Sequence, residues 1–257
     1  MLLTDAQIFT WLSHYILPLV RISAFFFAVP LIGEQLVPAR VRILLSIAIT
    51  LLIVPTLPMA AEINPFSMTG ILAVVNQVII GLAMGFLVQI FFQIFALAGQ
   101  LIALQNGLGL SVLLDPANGI QVNSLSQFFV MMANLLYLVM NGHLVLIQKL
   151  AESFISLPVE NSMLSTEHFY TLAAQGSWLF ESAVLISLPA MLALLLMNLS
   201  FGVMARVAPQ LNIFNMGFPL MLVFGLLIVW LGLHSFLPEF NQLAEEHFSR
   251  LNNLLIH

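Results

Sequence analysis

The chain has 257 residues, of which 61% are hydrophobic and 7% charged, and its net charge is −5. A soluble domain carries about 25% charged residues, so water alone cannot solvate this surface, and the acidic balance excludes a broad basic face for nucleic acid. Cysteine is absent, which removes disulfides and thiol chemistry.

In chain order, apolar runs fall at 8–32, 43–61, 71–104, 125–147, 177–203 and 213–237. Most reach the ~20 residues that cross a ~30 Å hydrocarbon core. Backbone groups in lipid must be satisfied internally, and the alternation of a barrel strand is missing, so helices are expected. The opening residues Met1-Leu2-Leu3-Thr4-Asp5 lack the basic start of a secretory signal, so the first run is expected to stay in the chain. The 34-residue third run is too long for one span, since a straight helix would measure roughly 51 Å. It either extends beyond the bilayer or breaks. Pro18, Pro55, Pro58 and Pro189 interrupt or end runs and predict kinks.

Two further segments read as amphipathic helices. One has Ser165 as N-cap, Glu167 in its first turn and Gly176 closing it. The C-terminal tail sets Phe240, Leu243, Ala244, His247, Phe248, Leu251, Leu254 and Leu255 on one stripe, which suits packing on the chain itself, a partner subunit or a membrane surface.

Charges inside the runs are rare. Arg21 stands mid-run, one turn after Pro18, and a charge at that depth needs neutral acceptors or a partner. Helix carbonyls, including those freed by Pro18, are the expected acceptors. Arg40, Arg42 and Arg206 lie in connections that six spans put on one side, the cytoplasmic side by the positive-inside rule. The near-absence of intramembrane carboxylates weighs against a proton-coupled transporter. Catalysis finds no support either. The six histidines are scattered, and no metal-ligand spacing, P-loop or complete dinucleotide fingerprint occurs. No cofactor is expected.

The polar residues of the third run are more informative. At 100° per residue, Gln89, Gln93 and Gln100 fall within about 40° of one another. Gly81 and Gly85 form a small-xxx-small pair beside them. Such a face suits close helix packing with interhelical hydrogen bonds, or the lining of a hydrated passage. The connection after it, 105–121, is glycine-rich and apolar for a loop, which suggests a re-entrant or plug-like segment, the alternative being a plain packed turn.

Several of these segments together resemble the FliR/SctT family of type III secretion export-gate proteins. The resemblance is carried by Arg206-x-x-Pro209-Gln210-x-Asn212-x-Phe214 with Gly217-Phe218-Pro219, and by Ala98-Gly99-Gln100, Gln105-x-Gly107 and Asp115-Pro116. Pro18-x-x-Arg21, Pro30, Pro38, Arg42 and Asn141-Gly142-His143 fit as well, and the likeness covers essentially the whole chain. Two positions depart from the family pattern, which often has an acidic residue at Gln100 and a methionine at Asn106.

The resemblance implies an all-α membrane protein of long kinked helices in hairpins. It implies a FliP-like part over 1–175, then a FliQ-like hairpin with a C-terminal amphipathic helix over 176–257. The implied function is that of a pore-forming structural subunit, not an enzyme, in the flagellar type III export gate. The implied place is the bacterial inner membrane, within the flagellar basal body. FliP-like and FliQ-like subunits would complete the pore, FlhB-like and FlhA-like proteins would be further partners, and unfolded flagellar substrates would pass through. Residues 106–122 would form a plug, with Asn106, Gly107, Leu108, Gly109, Leu110, Asp115, Pro116 and Gly119 as its characteristic members. Arg206, Pro209, Gln210 and Asn212 would form a cytoplasmic hairpin tip. The rival reading of the same composition is a stand-alone secondary transporter or channel in membrane lipid.

Overall fold

The computed structural model describes residues 5–30, 38–57, 67–107, 123–159, 164–207 and 213–256, and every regular element among them is helical. The first run forms α1 (Asp5–Ala28), with Pro18 inside it. Helix α2 (Ala39–Ile53) starts directly after Pro38 and closes into a 3-10 turn at Val54–Thr56, where Pro55 stands. Its buried hydroxyls cost nothing in unpaired groups. Ser46 Oγ donates to the Arg42 carbonyl at 2.8 Å, and Thr50 Oγ1 to the Ser46 carbonyl at 2.6 Å.

Helix α3 (Met68–Gln105) takes in the whole third run without a break, at 38 residues. That is roughly 57 Å of helix, so α3 exceeds the ~30 Å hydrocarbon core rather than breaking within it. Ser67 caps its start, since Ser67 Oγ accepts from the Gly70 N–H at 3.0 Å. Gly107, at φ 76°, ends it in the left-handed conformation that glycine adopts freely.

The fourth run departs from expectation. It forms α4 (Ser124–Val139) and α5 (Gly142–Ser156), bent by 70° at the break between them. Asn141 supplies the turn at φ 57°, a conformation asparagine tolerates better than other side chains do. Gly142 is required beside it: a Cβ there would lie 2.5 Å from Cε1 of Tyr137.

Gly176 does not close a helix. The segment after Ser165 continues into the fifth run as α6 (Thr166–Val207), 42 residues long. A single glycine in a helix interior costs only about 1 kcal/mol relative to alanine, too little to stop an apolar helix with good formers on both sides. Likewise the sixth run and the tail form one helix, α7 (Ile213–Ile256), with Pro219 and Pro238 inside. Among the described residues, four helices are thus long and apolar enough to cross a membrane, or five if the bent α4–α5 pair is one span, where the sequence offered six runs.

The chain packs as two compact units. The first comprises Met1–Ile90, Tyr137–Gly176 and Glu246–His257. There α1 packs on α2, and Ile22, Phe25, Ile80, Met84 and Leu150 are fully buried. The end of α7 joins this unit: Tyr137 stacks near Phe248 at 5.9 Å, and Lys149 Nζ donates to Asn252 Oδ1 at 3.1 Å. The second comprises Phe91–Leu136 and Ser177–Glu245. Its core is aromatic, with Phe95 5.4 Å from Phe91, 5.5 Å from Phe236 and 5.6 Å from Phe240. The C-terminal stripe is therefore spent on the chain itself, since every member except the half-buried Phe248 is buried. The most apolar 18-residue stretches of α6 and α7 are largely bare, only 11% and 17% buried against 50% for that of α3.

Candidate functional site

Among the described residues no reactive constellation emerges. Among the described residues no three His, Cys, Asp or Glu side chains come together as metal ligands. The polar side chains inside the helices instead hold elements together, at a caged arginine in the first unit and at the end of α3 in the second.

Arg21 is completely buried. Its Nε donates to Gln77 Oε1 at 2.6 Å, its Nη1 to the Ser153 carbonyl at 2.8 Å and Ser153 Oγ at 3.1 Å, and its Nη2 to the Leu157 carbonyl at 2.8 Å. The guanidinium also lies 4.3 Å from the centre of the Phe154 ring. Among the described residues all these acceptors are neutral. The cation is nonetheless favoured, because Ser153 and Leu157 present carbonyls at the C-terminal end of α5, where the helix dipole is negative. The acceptors are not the α1 carbonyls freed by Pro18, as the sequence led us to expect. Side chains in helices point back toward the N-terminus and outward, so Arg21 reaches a neighbouring helix end more readily than its own backbone. One planar fork thereby ties α1, α3 and α5.

Directly beside it, α3 lies close on α1. A Cβ at Gly81 would collide with the Arg21 carbonyl and lie 2.9 Å from Ala24 Cβ. One at Gly85 would lie 2.6 Å from Ala28 Cβ and 2.9 Å from the Phe25 carbonyl. The glycines let two backbones approach. Because α3 is uninterrupted, Gln89, Gln93 and Gln100 share one stripe along it. Gln89 is half-buried, while Gln93 and Gln100 are exposed on this chain, with exposed Leu104 one turn beyond Gln100.

The second arrangement grips the last turns of α3. Ser126 Oγ donates to the Ala96 carbonyl at 2.6 Å, and a Cβ at Gly99 would lie 2.7 Å from Ser126 Cα, so α4 begins in contact with α3. Asn198 of α6 donates through Nδ2 to the Gln105 carbonyl at 3.2 Å, one of the terminal carbonyls that the helix cannot satisfy itself. The side-chain amide of Asn106 presses on Gly225 of α7, and a Cβ at Gly225 would fall on that amide. Asn106 is fully buried, and neither its Oδ1 nor its Nδ2 has a hydrogen-bond partner among the described residues. Both helices of the α6–α7 pair thus touch the end of α3, where the connection of residues 106–122 begins.

Of the plug residues expected from the sequence, Asn106 is placed by these contacts and Gly107 by its left-handed turn at the end of α3. Leu108, Gly109, Leu110, Asp115, Pro116 and Gly119 lie outside the described residues. Arg206 is exposed in the last turn of α6, and Pro209, Gln210 and Asn212 lie outside the described residues. Sequence reasoning missed Gln77, Asn198 and Gly225. Gln77 was legible in principle, since Gln77, Gly81, Gly85 and Gln89 recur every fourth residue along one face of α3.

Comparison with known proteins gives a consistent picture. A family model described as bacterial export proteins, family 1, matches residues 12–247. The chain is similar to the flagellar biosynthetic protein FliR of Escherichia coli K12, at 37% identity over 252 residues, covering 98% of this chain and 95% of that protein. The FliR of Pectobacterium carotovorum is 38% identical over 246 residues, 95% of this chain and 92% of its own. The FliR of Bacillus subtilis is 32% identical over 211 residues, 80% of each.

Proposed function

The chain belongs to family 1 of the bacterial export proteins, and from that premise we propose that it is a pore-forming structural subunit of the flagellar type III export gate. Relatives named for flagellar biosynthesis match it along nearly its whole length, which supports a role in the flagellar export apparatus. The family is one of export proteins rather than of enzymes. In this reading the subunit assembles with FliP-like and FliQ-like chains, and with FlhB-like and FlhA-like proteins, in the bacterial inner membrane within the flagellar basal body. Unfolded flagellar substrates cross through the assembly. Residues 1–175 would be the FliP-like part and 176–257 the FliQ-like hairpin, with Arg206, Pro209, Gln210 and Asn212 toward the cytoplasm.

The observation that carries this reading is the bareness of α6 and α7. In the most apolar 18-residue stretch of each, mean hydropathy exceeds 2, yet fewer than one residue in five is buried by the chain itself. Exposed apolar surface on that scale marks contact with lipid or partner proteins. A transporter acting alone would bury its helices mainly against one another around a midplane site.

The test is copurification from membranes with mass measurement of the intact complex. The proposal expects FliP-like and FliQ-like chains in fixed ratio with this one, and a stable monomer with substrate-dependent flux would overturn it. Deleting residues 107–119 should make membranes carrying the assembled complex leaky to small ions, and an unchanged seal would reject the plug assignment.

A further inference from the structure

The second unit contains a cavity of about 250 Å³ between α6 and α7, backed by α3 and α4. Its walls include Ile102, Phe129, Ile186 and Val229, while Ser235 and Glu239 supply side-chain polarity. These last two are four residues apart, one above the other on α7, so the polarity is gathered along one edge of an otherwise apolar space. Glu239 is half-buried and makes no hydrogen bond or ion pair among the described residues. It also stands just past the end of the apolar run at 213–237.

A carboxylate left unpaired beside an apolar cavity calls for an occupant that joins a cation to hydrocarbon. The space is too narrow for a helix, which with its side chains measures about 10–12 Å across, but it admits a slender chain. Both helices that form it are largely bare, so the surrounding phase reaches it directly. We propose that this cavity is a lipid site, holding an acyl chain of an aminophospholipid whose headgroup ammonium meets the Glu239 carboxylate. The fit is by charge complementarity at one edge and by apolar filling elsewhere. It is independent of the export reading and requires only that the chain sit in a bilayer.

Native mass spectrometry of the full-length chain, purified in mild detergent as it comes from the membrane, tests this. Phosphatidylethanolamine, phosphatidylglycerol and phosphatidylcholine would be added separately. The chain should retain one phosphatidylethanolamine, about fivefold over phosphatidylglycerol, the scale of one partly exposed ion pair. Glu239→Gln should abolish that preference while leaving weak binding of both lipids. Ala190→Phe, which fills the cavity, should lower retention of all three. Should that variant fail to fold, Gly232→Leu serves, because a Cβ there meets no heavy atom within 4 Å. Equal retention of the lipids by the unaltered chain, a preference that survives Glu239→Gln, or loss of the lipid on assembly with partner subunits would each overturn the proposal. The last outcome would assign the cavity to a partner protein.

Discussion

Arg21 Nε donates to Gln77 Oε1 at 2.6 Å, which joins α1 to the first half of α3 inside a fully buried site. The pair shows how this chain accommodates a charge with no carboxylate at hand among the described residues. An amide oxygen, a hydroxyl and two carbonyls from a helix end divide the work. Gln77→Leu should therefore destabilise the chain by about 1–3 kcal/mol, because one donor of a buried cation loses its acceptor. Arg21→Leu should be worse, since it strands acceptors on α3 and α5 together. Thermal melting in detergent would show both, and complex yield with motility would show the cost in cells. Normal yield with Arg21→Leu would mean the charge is dispensable.

The glycine approach of α3 to α1 makes a second expectation. Gly85→Ala sets a methyl 2.6 Å from Ala28 Cβ. The helix-propensity gain of about 1 kcal/mol works against this clash, which costs about 1–3 kcal/mol in a packed interface. We expect net destabilisation, with partial recovery when Ala28→Gly is combined with it. Additive effects in that double-mutant cycle would show that the two positions do not touch.

Asn106 and Gly225 give a third. The Asn106 amide is buried without a partner among the described residues, so Asn106→Leu removes a desolvation penalty of about 1–3 kcal/mol at similar volume. The melting temperature should rise. Gly225→Ala in the unaltered background should lower it, because the new methyl falls on the amide, and the loss should shrink when Asn106→Ala makes room. A lower melting temperature for Asn106→Leu would show that the amide is satisfied by a group beyond the described residues.

The bend between α4 and α5 gives the fourth. Gly142→Ala would place a methyl 2.5–2.7 Å from three atoms of the Tyr137 ring. It should destabilise by about 1–3 kcal/mol, with partial rescue by Tyr137→Leu. Asn141→Val should also cost about 1–2 kcal/mol, because a β-branched side chain fits poorly at φ 57°. Asn141→Gly should be nearly neutral, and a neutral Asn141→Val would mean that the turn is not kept.

How much of this was legible in advance varies from feature to feature. Composition alone dictated long apolar helices, because 7% charged residues cannot solvate a soluble surface. The C-terminal stripe was legible at every position but Phe248, which is only half-buried, since a period of 3.6 is set by the helix itself. The bend was also written in the chain, as an Asn141-Gly142 pair inside an apolar run, but an uninterrupted hydropathy signal concealed it. Gly176 misled in the other direction: a glycine marks a helix end only when the chain beyond it cannot continue the helix.

That Arg21 must be buried and satisfied followed from its place in an apolar run. Its acceptors could not be known from that place, because they lie 56, 132 and 136 residues further on. The same holds for Asn198 and Gly225, which meet the end of α3 from helices about a hundred residues away. Helix content, the apolar faces and the positions of scarce charge are local properties, fixed by residue chemistry and helical periodicity. Which carbonyl receives a given donor, which glycine admits a neighbouring backbone and which apolar faces stay bare depend on contacts between distant segments, and these only the packed chain decides.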